Sequence, residues 1–469
     1  MSALTSLYGK VPPPARSLMA SVRGYQLRRW RYGSNTERLV AETLERDAWD
    51  AARWQGWRED RLARLLHRAA TRVPFYRELW QERRRRGDSA SWERLENWPI
   101  LGKQPLRERP EAFVADDRDP RRMLVVETSG TTGTPVKMWR SKEVERGWYS
   151  IFEARLRRWN GVTLRDRWAH HGGARVIPGD RTEPPYWVWN APMRQLYLSS
   201  YHVTPEAAPH FVDAMRRYRV RYMLGYPSAM HGVARAALER GLEAPRLAVV
   251  ISNAERLYDF QRDAIANAYG CRVQNTYGQG EIACAASECA HGTMHMWPDV
   301  GVTEWVRDDA DAPVETGRVG RLVVTGLINT DMPLIRYAIG DRAARPAEAS
   351  DCPCGRKLPV LGALEGRTAD VILTPAGSPV GGLDTIFHSG LPMREAQIVQ
   401  ETLHRIRINV VPAPGFGPAH AEDMRQGIRA RLGDSVEVLV DVVDSIPRTP
   451  AGKFQVQKSL IAAAQMPTA

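Results

Sequence analysis

The run Thr128-Ser129-Gly130-Thr131-Thr132-Gly133-Thr134-Pro135 is the strongest local chemical signal in this chain. It directly follows the apolar, branched run Met123 to Glu127, and Lys137 lies two residues past the proline. Glycines let backbone N–H groups approach phosphate oxygens, and the loop hydroxyls add further donors. The rival reading is an ordinary Ser/Thr/Gly surface turn. Such density straight after a branched strand counts against it. No Gly-Lys-[Ser/Thr] closes the run, so it is not a Walker loop.

Three charged positions and one cysteine/histidine set come next. Glu281 offers a carboxylate suited to a hard cation, Asp341 follows Gly340, and Lys453 follows Gly452. Taken singly, each has a plain reading: a helix-entry acid, a turn residue and a solvated hairpin lysine. Lysine is scarce, with seven among 66 Lys+Arg, which draws attention to Lys137 and Lys453. Cys289, His295, Cys352 and Cys354 combine thiolates and imidazole, the donors of tetrahedral zinc. Cys-x-Cys is less usual than Cys-x-x-Cys, so the bare spacing leaves zinc and reduced buried thiols both open. His291 is the rival histidine, and Cys271 and Cys284 read as small core residues. His170-His171-Gly172-Gly173 and Trp187-Val188-Trp189 read first as buried aromatics and a loop histidine pair, second as the wall of a substrate pocket.

These residues need a large scaffold. The chain has 469 residues, which predicts two or three domains. A hydrophobic content of 43% with 26% charged residues is globular. No apolar run is long enough for a membrane span, no secretory h-region opens the chain, and five cysteines make no disulfide framework, so a cytoplasmic protein is expected. The charge of +12 reads as an Arg-rich solvated surface or as attraction for anionic ligands. Residues 1–120 read as mostly helical, with Leu62, Leu65, Leu66, Ala69, Ala70 and Val73 at helical spacing before Pro74. The Arg83 to Arg86 run reads as a solvated helix end. Strands and helices alternate over 204–278, predicting a parallel α/β sheet: a helix from Thr204-Pro205 to Arg217, strands at 222–224, 247–252 and 272–276, and a helix ending at Tyr269. The tail predicts a small α+β unit, with strands near 396–401, 405–411 and 436–443 and a helix near 421–432.

TSGTTGTPVK resembles the phosphate loop of the adenylate-forming acyl ligases. Within them the chain is most similar to the phenylacetate–CoA ligase branch, with its coenzyme-adenylating synthetases and capsule-cluster ligases. LARLLHRAATRVPFYREL (62–79), GYPSAM (225–230), SNAERL (252–257), YGQGE (277–281), RYAIGD (336–341), EGR (365–367) and PRTPAGK (447–453) follow in family order. The resemblance implies an α/β fold: a large N-terminal domain (1–366) with mixed and parallel sheets, and a small C-terminal α+β lid (367–469). It implies that Thr128, Ser129, Gly130, Thr131, Thr132, Gly133 and Lys137 hold a triphosphate. Asn253, Ala254, Glu255, Tyr277 and Gly278 would border adenine. Glu281 would bind magnesium, Asp341 the ribose with Arg367 close by, and Lys453 would neutralise charge at the carboxylate and α-phosphate. Part of the branch carries a structural zinc with the Cys289, His295, Cys352, Cys354 pattern, which favours zinc here.

The implied reaction joins ATP and a small-molecule acid into an acyl-adenylate and pyrophosphate, then passes the acyl group to CoA. Three positions depart from the family pattern: Gly280 and Ile339 stand where threonine is usual, and Ala369 where a charged hinge residue is usual. The last leaves the adenylation half intact and opens an alternative, a non-CoA acceptor or activation of another oxyanion. Expected partners are the acid, ATP, and CoA or another nucleophile. A homodimer is admitted, and nucleic acid and membrane are not expected.

Overall fold

Pro13 and Pro74 open two of the N-terminal helices, and Asp50 caps a third. The computed structural model describes residues 11–127, 136–178, 181–347, 352–367, 372–375, 377, 379–380, 383–387, 391–449 and 452–461. The Thr128–Pro135 loop and Ala369 lie outside these. Helices α1 (Pro13–Arg31), α2 (Thr36–Arg46), α3 (Ala51–Arg72), α4 (Pro74–Arg85) and α5 (Lys103–Glu108) come first. Asp50 caps α3 by accepting from the Arg53 N–H at 2.8 Å, and Pro74 ends it while starting α4. Leu65, Leu66, Ala69 and Ala70 are buried, as their spacing predicts. The Arg83–Arg86 run is not simply solvated: Arg83 lies over the Trp80 ring at 4.4 Å and pairs with Asp88.

Strands β1 (Leu124–Glu127) and β2 (Lys137–Arg140) form an antiparallel ribbon in which Glu127 faces Lys137. Helix α6 (Lys142–Phe152) follows, capped by Ser141. A six-stranded sheet comes next. Its elements in chain order are β3 (Trp168–Gly172), β4 (Trp187–Asn190), β5 (Gln195–Ser199), α7 (Ala208–Arg217), β6 (Tyr222–Gly225), α8 (Pro227–Glu239), β7 (Val249–Ser252), α9 (Asp259–Tyr269) and β8 (Arg272–Gln274). The strand order is β4-β5-β3-β6-β7-β8, parallel except for β4. Alternation sorts the side chains between two cores. Met223 and Val250 join the helix-side core with Phe211, Met230 and Ile265. Tyr222, Leu224, Val249 and Ile251 face Trp168, Trp297 and Ile151 on the other side.

Two expected elements are revised. The helix predicted from Thr204 begins at Ala208, because the Thr204 hydroxyl first closes a turn by accepting from the Ala207 N–H at 3.1 Å. The strand predicted over 272–276 stops at Gln274. Asn275 Oδ1 accepts from Ser252 Oγ and from the Thr276 N–H, each at 2.9 Å, which turns the backbone out of the sheet. The chain re-enters as β9 (Thr276–Gly278), paired with β10 (Ala285–Glu288), which pairs with β11 (Met294–Met296).

Strands β12 (Gly301–Val306), β13 (Val319–Gly326), β14 (Tyr337–Ala344) and β15 (Leu364–Arg367) form a four-stranded sheet in that order. The chain divides into two compact units: 1–303 with 323–338 and 347–361, and 304–322 with 339–346 and 362–469. In the second unit, β16 (Ile372–Leu373) and β17 (Pro379–Val380) make a short ribbon. Strands β18 (Met393–Thr402), β19 (Arg405–Pro412), β20 (Glu437–Val442) and β21 (Gln457–Ser459) make a sheet of order β20-β19-β18-β21. Helix α10 (Pro418–Leu432) packs Met424 and Ile428 onto Ile398, Ile406 and Ile408. Buried Gln400 exchanges two bonds with the Leu373 backbone, at 2.9 and 2.7 Å. Among the described residues no helix is long and apolar enough to cross a membrane.

Candidate active site

The parallel strands β3, β6 and β7 end together, and the loop leaving β7 carries three of the expected nucleotide residues, Asn253, Ala254 and Glu255. Crevices at the carboxyl ends of such strands are where open α/β sheets bind ligands. Gly225, the last residue of β6, is required by close approach: a methyl there would lie 2.3 Å from the His171 carbonyl oxygen. The Asn253 N–H donates to Gly225 O at 3.0 Å, fixing the turn after β7. Ala254 adopts left-handed φ (64°), and Glu255 then points its carboxylate to the Ser228 N–H at 3.1 Å, at the start of α8. Thr276 Oγ1 donates to Ser252 O at 2.6 Å and brings Tyr277 to the same edge. Asn253 Oδ1 is buried and has no hydrogen-bond partner among the described residues. An orphaned acceptor of this kind suits a ligand N–H donor such as an exocyclic amine.

Glu281 is buried on the loop between β9 and β10 and accepts from the Tyr337 hydroxyl at 3.1 Å. Buried Arg140 donates to the Gly280 carbonyl and is paired with Glu145 at 3.1 Å. The same loop is pressed against β12, where a methyl on Gly301 would lie 2.0 Å from Ala283 O. The sequence did not flag Arg140 or Tyr337 individually. An arginine in so Arg-rich a chain carries no signal, while Tyr337 stood unremarked inside RYAIGD. Lys137 is exposed on β2, opposite Glu127.

Asp341 lies on the buried face of β14, between Ile339 and Ala343, and its backbone is opposite Arg367 on β15. Ile339 is a core residue here, which accounts for an apolar side chain at that position. Lys453 belongs to a tight turn: the Thr449 N–H donates to Lys453 O at 3.0 Å, and the Lys453 N–H donates to Thr449 Oγ1 at 3.1 Å. Gly452 at φ 73° allows that turn.

His171 belongs to the core. It lies within 3.2 Å of Ser199 O and packs on Phe211, and burial pushes its pKa down to about 4. His170 faces the opposite side, edge-on to Tyr197, and burial pushes it down to about 3. Tyr197 accepts from the Ala174 N–H at 3.1 Å and Tyr201 donates to Gly173 O at 2.9 Å, so aromatic hydroxyls gather around the loop after β3. Trp189 stacks on Tyr218 and belongs with Trp187 to the packing of the sheet edge.

A second constellation forms in the same unit. The ligand atoms of Cys289, His295, Cys352 and Cys354 all lie within 4.8 Å of one another. The Cys289 and Cys352 sulfurs are 3.6 Å apart, and Cys354 Sγ is 3.3 Å from His295 Nε2. Tetrahedral zinc with ~2.3 Å Zn–S bonds sets sulfurs about 3.8 Å apart, so the donor set fits. His295 Nδ1 is 3.3 Å from Leu358 O, which leaves Nε2 facing the sulfurs. Burial raises the Cys352 thiol, but hydrogen bonds with Thr293, Cys354 and His295 outweigh it and bring the pKa down to about 6. His291 contributes its backbone N–H to Cys289 Sγ at 3.4 Å and is not in the donor set. Burial pushes the Cys271 thiol up to about 11, an inert position. Asp47, at the end of α2, ties down the loop: its carbonyl accepts from the Lys357 N–H at 3.0 Å, and Arg356 lies over Trp159 at 4.0 Å.

Comparison with known proteins places this geometry. Residues 372–459 match the CapK C-terminal domain family. The chain is 22% identical over 459 residues to protein CapK of Staphylococcus aureus, covering 96% of this chain and 98% of that one. It is 28% identical over 361 residues to a phenylacetate–coenzyme A ligase of Thermus thermophilus, covering 71% and 73%. The crystal structure of 2-hydroxyisobutyryl-CoA ligase with its acyl-AMP, in the postadenylation state, aligns with a TM-score of 0.65 at 20% identity, over 89% of this chain and 92% of that one. The chain is therefore a homologue of CapK and phenylacetate–CoA ligase, with the fold of the adenylate-forming acyl-CoA ligases and a CapK C-terminal domain.

Proposed function

We propose that the protein is an AMP-forming ligase that activates a carboxylic acid with ATP and passes the acyl group on, with CoA thiol as the acceptor. A carboxylate oxygen of the acid attacks the α-phosphorus, the bond to the β-phosphate oxygen breaks, and pyrophosphate leaves. The acceptor then attacks the acyl carbon, AMP departs with the electron pair, and the acceptor's proton is released. The observation that carries this reading is the edge formed by Asn253, Ala254, Glu255 and Tyr277, with the buried Asn253 Oδ1, unpartnered among the described residues, as a receptor for the adenine amine.

The other residues supply positioning and charge neutralisation, which displacement at phosphorus requires above all. Thr128 to Gly133 and Lys137 take the triphosphate, and Asp341 accepts the ribose hydroxyls near Arg367. Lys453 offsets the negative charge that builds where carboxylate and α-phosphate meet. Buried Glu281, held by Tyr337, is the carboxylate for magnesium, which neutralises phosphate charge when bound. The aromatic wall around Gly173 suits the organic part of the acid. Cys289, His295, Cys352 and Cys354 hold zinc with no open position, a structural role. The small domain begins near Arg367, at the family's hinge, and the protein works in the cytoplasm.

Ala369, at the position where the family usually has a charged residue, favours a second reading in which the acceptor is an amine or an alcohol, or in which another oxyanion is activated in place of the carboxylate. ATP–pyrophosphate exchange over a panel of acids tests the first half-reaction. Exchange with at least one acid, reduced 100-fold or more in Lys453→Ala, is expected. No exchange with any acid, or full exchange in the variant, would overturn the proposal. AMP release that depends on CoA with the matched acid separates the two acceptors.

A further inference from the structure

The chain's first acidic residue is Glu37, so residues 1–36 carry six basic side chains and no acidic one. Helix α1 concentrates five of these as arginines. Its inner face lies along the edge strand β4. Ser17 Oγ accepts from the Trp189 N–H at 3.2 Å, Ser21 Oγ accepts from the Ala191 N–H at 3.1 Å, and Arg28 donates to Pro192 O at 2.6 Å. Gly24 completes that face, buried against Asn190. Ser17, Ser21, Gly24 and Arg28 recur at helical spacing and so fix which side looks out.

The outward side is apolar. Leu18, Met19, Val22 and Tyr25 are 66%, 49%, 57% and 55% exposed, a continuous stripe on one helix. Four of the ten most exposed large hydrophobics among the described residues fall on these two turns. Arg23 and Arg29 are exposed beside the stripe, and Arg29 lies over the Tyr25 ring at 5.8 Å. Such a stripe offers on the order of 400 Å². A stable dimer needs roughly 800 Å² from each partner, so the stripe alone is too small for a second copy. Apolar side chains flanked by arginines, without one acid, match the boundary of an anionic bilayer, where the stripe inserts and the guanidinium groups reach the headgroups.

We propose that α1 docks the protein reversibly on anionic phospholipid membranes. This goes beyond the ligase reading and does not depend on it. It also revises the expectation that a membrane is no partner, since docking on a surface needs no spanning helix. The test is co-sedimentation of the full chain with vesicles of phosphatidylcholine containing 30% phosphatidylglycerol, against pure phosphatidylcholine, with a shared thermal-unfolding control. Binding to the anionic vesicles should be at least tenfold stronger and should weaken in 0.5 M salt. Leu18→Asp with Val22→Asp should lower it at least tenfold at unchanged melting temperature. Arg23→Glu with Arg29→Glu should do the same while sparing the apolar stripe. Equal binding to both vesicles, no binding to either, or unaffected binding in both double variants would overturn the proposal. So would a dimer in sedimentation velocity that Leu18→Asp with Val22→Asp dissociates.

Discussion

Replacing Arg155 with methionine should destabilise the first unit by about 3–5 kcal/mol at pH 7, the range for removing one partner of a buried ion network. Arg155 is fully buried and donates to Asp47 Oδ1 at 2.9 Å and to Asp299 Oδ1 at 2.6 Å. Each such charge-assisted bond contributes about 1.5–3 kcal/mol, partly offset by the apolar methionine. At about 2.1 cal/mol/K per residue of unfolding entropy, a unit of this size should melt roughly 4–7 °C lower. The deficit should depend on pH. Burial already raises the Asp47 pKa, and Arg155 is the largest influence holding it down. A carboxyl whose folded pKa lies above its unfolded value folds most favourably when protonated, below the unfolded pKa near 3.8, and loses that advantage as pH rises through the folded pKa. Without Arg155 the folded pKa climbs further, so the variant's deficit is largest at pH 7 and shrinks as pH falls towards 5. Urea unfolding followed by tryptophan fluorescence at both pH values measures it. Adding Asp47→Asn should recover part of the loss. A deficit below 1 kcal/mol at pH 7, or one equal at pH 5, would refute the reasoning.

Two further outcomes follow from the site. Cys354→Ser removes one of four gathered donors, so metal analysis should show zinc in the purified wild type and at least tenfold weaker retention in the variant against a chelator. A zinc-free wild type would count against the metal. Gly301→Ala places a methyl against two backbone carbonyls, Ala283 O at 2.0 Å and Thr325 O at 2.7 Å. It should cost about 1–3 kcal/mol by overpacking, and it should raise the magnesium concentration needed for half-maximal exchange, because the strained backbone carries Glu281. Unchanged stability in Gly301→Ala would show that the loop relaxes freely.

Much of this molecule was legible in one dimension. The period of Leu62 to Val73 and the stop at Pro74 give α3 its C-terminal half, its end and its buried face, because spacing and proline geometry act locally. The alternation of short branched runs with helices over 204–278 likewise announces a parallel sheet, and the tail's strands and helix appear where their patterns lie. Ordered short motifs pointed to the adenylate-forming fold, since binding a nucleotide constrains backbone shape at fixed points along a chain. What the sequence left open turned on distance. The residues alone left His291 as a rival to His295, and folding of the loops around Leu358 and Thr293 is what brings His295 Nε2 to the three sulfurs. The sequence could not foresee that Asn275, by bonding Ser252, would cut a strand two residues short. Nor could it separate His171 from His170. Adjacent residues on a strand face opposite ways, and only the packing of Phe211 on one side and Tyr197 on the other gives each its surroundings. Local pattern is fixed by covalent geometry and propensity. The partners of Arg140, Arg155 and Glu281 are fixed by residues far away in the chain, and tertiary structure alone decides them.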